Sequence, residues 1–371
     1  MGYEVKCTVC GKISTSLFEY KCADCGSPLD IKVEKAFSEK DIRKKCYGVW
    51  RYIQFFPYIN AKNVVSLGEG WTPLVKLFGN LYFKLESLNP TGSFKDRGST
   101  VLVSAVHREV KRLGGFIAED SSGNAGASIA AYAARAGIKA KIYVPEGISG
   151  PKFNQIVFYG AEVVKVSGSR SHVAEEAQKP EIGKIYVGHI FHPAFRDGIR
   201  SLAYEIAEQL NWKTPDMIYL PVSAGTLLLG VISGFKHMAE SGVIANVPKI
   251  VACQTSQVSP LYHRLKSLPY RPPEKVTSVA DALVSTNPPL LELMAKELAA
   301  VGGDAVMVEE EEIAQAFYEL ARKGFFIEPS SAVAYAGYQK HLRNGKTTRK
   351  EKTVVILTGH GLKTSMKNLI V

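Results

Sequence analysis

Short strand-like runs alternate with helix-like segments from Gly115 onward, and this alternation is the strongest constraint on the fold. The runs GFIAED, AKIYVPEG, AEVVKVSG, KIYVGHI, DMIYLPVS, PKIVACQTS and KTVVILTG are rich in valine and isoleucine, and segments such as GASIAAYAARAG separate them. Strands of this composition between helices predict an α/β fold whose parallel sheet is covered on both faces. Ligands of such sheets bind beyond the carboxyl ends of the strands, so the chemistry is expected there.

Three of these strand ends carry glycine and small polar residues. The loops EDSSGNAG and PVSAGT each open a helix, where free backbone amides suit a carboxylate or a phosphate, and ILTGHGLK follows the last strand. Each loop taken singly is equally compatible with a tight turn. Neither a G-x-x-x-x-G-K-[ST] loop nor H-E-x-x-H is present, so NTPase and zinc-protease functions find no support. The candidate residues are Ser121, Ser122, Gly123 and Asn124 in the first loop, Ser223, Ala224, Gly225 and Thr226 in the second, and Thr358 in the third.

The stretch LNPTGSFKDRGS contains a lysine in an unusual place. Its turn residues predict that Ser93 caps a helix over residues 94–106, with Lys95 in the first turn. The helix dipole disfavours a cation there. Two interpretations remain open: Asp96 compensates the charge, or the amine is needed in a poorly solvated place where its pKa falls and it becomes a nucleophile.

Two C-x-x-C-G motifs lie close together near the N-terminus. Each can direct two thiolates at one ion, and together they complete a tetrahedral four-sulfur shell without an open position. This spacing predicts a structural zinc ribbon and no catalytic metal. Cys46 and Cys253 have no such neighbours and are interpreted as isolated thiols. The predicted zinc ligands are Cys7, Cys10, Cys22 and Cys25.

Composition and charge are those of an ordinary globular protein. The 371 residues are 46% hydrophobic and carry a net charge of +11. No nucleic-acid-binding motif accompanies this charge, and it would equally attract an anionic substrate. The sequence lacks a run of 18 apolar residues and a secretory signal, so no membrane partner and a cytoplasmic location are expected. Residues 31–64 are interpreted as a helical connector that places Trp50, Tyr52, Phe55 and Phe56 on the main body.

Five motifs, taken in order, resemble the landmarks of one family. GEGWTPL, NPTGSFKDRG, SSGNAG, PVSAGT and TGHGLK resemble pyridoxal-phosphate enzymes of the tryptophan-synthase-β fold (fold type II) over roughly residues 65–365. Within that group they are most similar to threonine synthases, some of which also carry a zinc ribbon. The resemblance implies a lyase that converts O-phosphohomoserine and water to threonine and phosphate.

The resemblance also implies roles for individual residues. Lys95 would hold pyridoxal 5'-phosphate as a Schiff base and then move protons as acid and base. Asn124 would contact the cofactor's ring hydroxyl, and Thr358 would be a neutral partner of its pyridine nitrogen. The loop from Ser223 to Thr226 would hold its phosphate, and the loop from Ser121 to Asn124 would bind the substrate carboxylate.

Domain organisation follows from the same resemblance. The zinc ribbon spans residues 1–30 and the connector 31–64. A large cofactor-binding subdomain is expected over residues 65–116 and 206–371, and a small mobile substrate subdomain over 117–205. A homodimer is expected because this fold commonly forms one.

Two departures from the family pattern bear on the substrate. The family's phosphate-binding arginine lies in an N-P-x-R-like sequence, which makes Arg196 the candidate, with Arg200 close behind; a helix-surface arginine is an equally good interpretation of either. HIFHP replaces the Asn-Ser that usually precedes this motif, and SAG replaces the usual Gly-Asn of the phosphate loop.

Two other classes of function stay open. The same cofactor could serve β-replacement on O-phosphoserine, as in cysteate synthase, or β-elimination on serine or threonine, as in a dehydratase. A catalytically inactive nucleic-acid-binding protein would also explain the ribbon and the charge. It does not explain why Lys95, Asn124 and Thr358 all stand at the positions that the family pattern requires.

Overall fold

The structure is a computed structural model that describes residues 2–14 and 16–365, so residues 366–371 of the predicted large subdomain lie outside it. The chain divides into two compact units. Unit 1 comprises Met1–Gly70 and Asn89–Ser201, and unit 2 comprises Trp71–Leu88 and Leu202–Val371. The functional subdomain bounds expected from the sequence stay a prediction. No helix in the described part of the chain is long and apolar enough to span a membrane.

Thirteen strands and eleven α-helices make up the described chain. In chain order the strands are β1 Tyr3–Cys7, β2 Ile13–Ser14, β3 Leu29–Val33, β4 Leu74–Phe78, β5 Leu81–Leu85, β6 Phe116–Glu119, β7 Lys139–Pro145, β8 Glu162–Val166, β9 Lys184–Tyr186, β10 Met217–Pro221, β11 Lys249–Thr255, β12 Asp304–Val308 and β13 Thr353–Leu357. The helices are α1 Lys95–Arg112, α2 Asn124–Ala136, α3 Pro151–Phe158, α4 Arg170–Gln178, α5 Pro193–Ile199, α6 Ser201–Gln209, α7 Thr226–Glu240, α8 Pro260–Leu265, α9 Leu291–Ala300, α10 Glu310–Arg322 and α11 Pro329–Arg343.

The N-terminal part of unit 1 is a three-stranded antiparallel sheet in the order β2-β1-β3. The expectation of a helical connector after it is wrong, because residues 31–64 contain only the end of β3 and three short 3-10 helices. Gly48, with a φ of 97°, and Pro57 interrupt any continuous helix there. The predicted burial of the four aromatic residues is confirmed, and Nε1 of Trp50 donates to Oγ1 of Thr100 in α1 at 2.9 Å.

Unit 1 also contains a four-stranded parallel sheet in the order β8-β7-β6-β9. Its strands are the first four valine- and isoleucine-rich runs of the sequence. Helices α1, α2 and α5 pack together in this unit, and Oγ of Ser128 in α2 lies 2.6 Å from Oδ1 of Asp96 and 2.7 Å from Oγ of Ser99 in α1. The first turns of α1 and α2 are therefore neighbours.

Unit 2 is built on a six-stranded sheet in the order β12-β11-β10-β13-β5-β4. All neighbours are parallel except the edge pair β4 and β5. Helix α11 packs against β10 and β13, and its buried residues join the apolar side chains of the sheet in one core. The predicted parallel-rich α/β architecture is confirmed, and β4, β5 and β12 add strands that the alternation did not predict.

Candidate active site

Lys95 is the first residue of α1, and its side chain is half-buried. Its Nζ lies 4.9 Å from the ring centre of Phe94 and 5.8 Å from that of Phe195. A Cβ on Gly98 would lie 2.6 Å from the Phe195 ring, so glycine one turn after Lys95 lets that ring approach. Aromatic surfaces keep water from an amine, which is the poorly solvated environment that the nucleophile interpretation requires.

The residues around Lys95 correct one expectation. Helix α1 begins after Phe94, no side chain caps it, and it continues to Arg112, so Ser93 is not an N-cap. The backbone N–H of Asp96 instead donates to the Ser93 carbonyl at 3.3 Å, which is a tight entry into the helix. The Asp96 carboxylate accepts hydrogen bonds from the backbone N–H and the hydroxyl of Thr91, at 2.7 and 2.6 Å. These bonds close the turn that precedes α1.

The hydroxyl of Ser93 is a candidate ligand contact. Its Oγ is buried and has no hydrogen-bond partner among the described residues. Buried polar atoms in native proteins are nearly always satisfied, so an orphaned hydroxyl two residues before the candidate lysine suits a polar group of a bound molecule. Lys95 and Ser93 thus fit a polar cofactor. The sequence alone did not show that the Ser93 hydroxyl is buried without a partner among the described residues.

The loop from Ser121 to Asn124 follows β6 and leads directly into α2. Its residues are half-buried, and the backbone N–H of Gly123 donates to Oγ of Ser121 at 3.3 Å. A Cβ on Gly126 would lie 1.8 Å from the carbonyl oxygen of Ser121, so only glycine lets the loop fold back onto the first turn of the helix. Amides at the start of α2 suit a carboxylate, as predicted for this loop.

The loop from Ser223 to Thr226 lies in unit 2, between β10 and α7. Gly225 has a φ of 98°, and a Cβ there would lie 2.4 Å from Sδ of Met294. Ser223 and Ala224 are half-buried. Small side chains and a left-handed glycine at the start of a long helix make a backbone cradle suited to a phosphate.

Thr358 comes directly after β13 and is 6% exposed. Its backbone N–H donates to Oγ of Ser331 at 2.7 Å, and a Cβ on the following Gly359 would lie 1.8 Å from Oε2 of Glu328. Because β10 and β13 are neighbouring parallel strands, this threonine and the loop after β10 share one edge of the sheet. Unit 2 therefore brings Thr358 and the loop from Ser223 to Thr226 to the same edge of its sheet.

Arg196 does not face an open site. Its guanidinium donates to the carbonyls of Ile190 and Phe191 at 3.0 and 3.2 Å and to the carbonyl of Leu29, and it lies 3.6 Å from Asp30. The residue is 2% exposed, so the structure assigns it to fastening α5 to the ribbon and argues against the predicted phosphate contact. Arg200 is also buried in contacts within the protein, because it donates to the Phe55 carbonyl at 2.6 Å and pairs with Asp197 at 2.9 Å.

Sequence reasoning missed two ionisable residues in unit 1. Glu119, the last residue of β6, is fully buried, and Nδ1 of His189 lies 2.6 Å from its Oε1. The signals were present in the sequence, since Glu119 ends the strand before the serine loop and His189 opens the HIFHP departure. The sequence did not show that either residue would be buried at the end of the sheet.

The four predicted zinc ligands converge in the ribbon. Their Sγ atoms all lie within 4.8 Å of one another, with Cys7 and Cys25 at 3.5 Å, and Cys10 3.6 Å from both Cys22 and Cys25. A tetrahedral ion with Zn–S bonds of about 2.3 Å separates its sulfurs by about 3.8 Å, so this cluster fits zinc.

Comparison with known proteins decides the family. The family model described as "Pyridoxal-phosphate dependent enzyme" matches residues 65–359. The chain belongs to this family. A threonine synthase of Methanocaldococcus jannaschii is 36% identical over 96% of this chain and 92% of its own length. A threonine synthase of Methanosarcina acetivorans is 33% identical over 97% of this chain and 92% of its own.

The fold agrees with this assignment to the pyridoxal-phosphate dependent enzymes. The solved structure of an L-serine ammonia-lyase from Rhizomucor miehei matches with a TM-score of 0.68 at 22% identity, covering 80% of this chain and 96% of that one. The predicted fold class is confirmed, and the resemblance inferred from the five motifs is confirmed with it.

Proposed function

We infer that this protein is a threonine synthase, which converts O-phosphohomoserine and water to threonine and phosphate. The observation that carries this function is the similarity to threonine synthases along nearly the whole chain. The position of Lys95 supports it, because this half-buried lysine lies at the start of a helix, where the helix dipole disfavours an ammonium group.

Pyridoxal phosphate, when bound, supplies an electron sink for carbanions next to the amino group of the substrate. We propose that Lys95 is the residue that would bind it covalently through its side-chain amine, and that the same amine would move protons between substrate carbons. Its position at the start of α1 is an unfavourable place for an ammonium group, because the helix dipole is positive there.

The remaining contacts are proposed by group. The amides from Ser223 to Thr226 hold the cofactor phosphate, and Thr358 pairs with the pyridine nitrogen as a neutral partner. Asn124 contacts the ring hydroxyl, and the loop that begins at Ser121 binds the substrate carboxylate. Support comes from the glycine-enforced turns at Gly126 and Gly225, which expose backbone at the start of a helix in each case.

A structural zinc ion in the ribbon is proposed from the four converging thiolates. The shell leaves no open ligand position, so the metal stabilises the ribbon and takes no part in the reaction. A homodimer and a cytoplasmic location stay predictions.

The environment of Arg196 favours one alternative. If this arginine fastens the ribbon, the substrate phosphate needs another cation, or the substrate has no phosphate, as for a serine or threonine dehydratase. The loaded protein should therefore be offered O-phosphohomoserine, O-phosphoserine, serine and threonine in parallel. Threonine and phosphate in equal amounts from O-phosphohomoserine support the proposal, whereas a 2-oxo acid and ammonia from serine or threonine, with O-phosphohomoserine inert, would replace it.

A further inference from the structure

A cavity in unit 1 lies between the ribbon and β9, the edge strand of the four-stranded sheet. Its volume is about 290 Å³. Sites for small molecules begin at about 300 Å³, so this cavity has room for a small ligand. The lining residues that matter here are Phe18 and Tyr20 of the ribbon, Lys179 and Glu181 between α4 and β9, and Lys184 and Tyr186 of β9.

Aromatic rings form one side of this cavity. The rings of Tyr20 and Tyr186 lie 4.7 Å apart, centre to centre, and meet at 70°, so they form a corner. Phe18 extends this side towards the solvent and is 38% exposed. Aromatic rings prefer offset-stacked and edge-to-face neighbours, so a flat aromatic ring is the apolar group that this corner fits best.

The wall at Tyr186 is held in place by its own contacts. This side chain is buried, and its hydroxyl donates to Oδ1 of Asp120 at 2.7 Å. Asp120 in turn pairs with Arg170 at 2.6 Å. Because these bonds fix the ring before any ligand arrives, binding against it costs little conformational entropy.

Lys184 supplies the polar group of the cavity. It lies two residues before Tyr186 on the same strand, so both side chains point to the same face of the sheet. Its Nζ lies 5.2 Å from the ring centre of Tyr143, and it forms no hydrogen bond or ion pair with any residue that the structure describes. This half-buried ammonium group therefore lacks a counter-ion within the described chain.

The other charges in the lining are already neutralised. Lys179 pairs with Glu176, and Glu181 accepts a hydrogen bond from Nζ of Lys141 at 2.8 Å. Burial lowers the pKa of Lys184, although the nearby Glu181 acts in the opposite direction. An ammonium group that has lost part of its water gains more from a bound anion. One uncommitted positive charge matches one negative charge on the ligand.

We propose that this cavity binds a small aromatic monocarboxylate. The carboxylate pairs with Nζ of Lys184, and the aromatic ring packs into the corner between Tyr20 and Tyr186. This site goes beyond the proposed function and does not depend on it, because none of the residues proposed to bind the cofactor or the substrate lines the cavity.

The test is isothermal titration calorimetry of the protein loaded with zinc and pyridoxal phosphate, with phenylacetate as the probe. Phenylacetate should bind once per chain with a Kd of about 1 mM or below, as expected for one ion pair and one buried ring. Phenylacetamide has the same shape without the charge, and acetate has the charge without the ring. Each should bind at least about tenfold more weakly, because each lacks one of the two contacts.

Variants of the lining locate the binding. Lys184→Gln should weaken phenylacetate binding about tenfold or more. Lys179→Gln is the matched control, since Lys179 also lines the cavity but is exposed and already paired with Glu176, and its Kd should stay within about twofold of the wild type. Phe18→Ala removes an exposed ring and should weaken binding about threefold. Thermal melting confirms that each variant folds, and Phe18→Ala alone carries the comparison if Lys184→Gln does not.

The inference is overturned if about 10 mM phenylacetate gives no saturable heat with the wild type. Equal affinity in the wild type, Lys184→Gln and Phe18→Ala would also overturn it, because the probe would then bind elsewhere, as at the loop that begins at Ser121. Equal affinity for phenylacetamide would exclude the ion pair with Lys184. All three outcomes leave the proposed function intact, since threonine formation is measured separately.

Discussion

Arg196 in α5 donates a hydrogen bond to the backbone carbonyl of Leu29, the first residue of β3 in the N-terminal ribbon. Two further carbonyls, those of Ile190 and Phe191, accept from the same guanidinium. A single buried side chain therefore joins the ribbon to the helix that follows the HIFHP segment. The sequence motif around Arg196 predicted a contact with the substrate, whereas in the structure this arginine contacts carbonyl groups of the protein itself.

Replacement of this arginine should affect stability more than substrate binding. Arg196→Met leaves buried carbonyls without their charged donor, so the free energy of unfolding should fall by about 3 kcal/mol. The KM for O-phosphohomoserine should stay within about threefold of the wild type, which is below 1 kcal/mol. Denaturant unfolding and steady-state kinetics check this, with the exposed Arg135→Met as control; a large rise in KM with unchanged stability would restore the phosphate-binding role.

Removal of the metal should destabilise the ribbon. The four clustered thiolates supply the only shell of this kind in the described residues, so the protein should contain about one zinc per chain. Cys22→Ser should lose that zinc and melt several degrees lower, since metal binding and folding of such ribbons are coupled. Cys46→Ser, outside the cluster, should keep its zinc. Full stability of Cys22→Ser without metal would contradict a structural role.

The phosphate loop should not tolerate a side chain at Gly225. Gly225→Ala combines a φ of 98° with a Cβ 2.4 Å from Sδ of Met294, so the loop must shift. The affinity for pyridoxal phosphate should fall about tenfold or more. Gly242→Ala, beyond the other end of α7, has a φ of 72° but no atom within 4 Å, and it controls for backbone strain alone. Equal affinities in the two variants would exclude Gly225 from the cofactor site.

Acid should destabilise the fold partly through His192. Burial lowers the pKa of His192 from 6.5 to about 3, and the side chain accepts from the backbone N–H of Ala194 at the start of α5. Below pH 6.5 the His192 imidazole is protonated in the unfolded chain but stays neutral in the folded one until the pH approaches 3. The free energy of unfolding therefore falls as the pH decreases through this range.

The measurement is chemical denaturation across this pH range. The wild type should lose about 3 kcal/mol more than His192→Asn between pH 6.5 and about pH 4, because asparagine keeps the cap without titrating. Parallel loss in the two proteins would show that His192 does not contribute to acid sensitivity.

Local patterns in the sequence predicted much of this structure. Valine- and isoleucine-rich runs predicted the parallel strands, and the spacing of the C-x-x-C-G motifs predicted the four-thiolate cluster, since both depend on neighbours in the chain. The turn before Lys95 likewise predicted the helix that begins there, although not its length or its uncapped start.

Long-range contacts set what local patterns could not predict. Arg196 is fixed by a carbonyl 167 residues away, and Glu119 by an imidazole 70 residues away. Residues 31–64 have helical composition but bury their aromatic side chains in an irregular chain with short 3-10 helices, where tertiary packing outweighs local preference. Such contacts become visible only when the fold brings distant segments together.

Borohydride reduction of the loaded protein, followed by peptide mass mapping, tests the central claim most directly, because it fixes the cofactor to the lysine that holds it. The account predicts one pyridoxyl group per chain on the peptide that contains Lys95, lost in Lys95→Ala and retained in the exposed Lys111→Ala of the same helix. Attachment to another lysine, or labelling that survives Lys95→Ala, would contradict it.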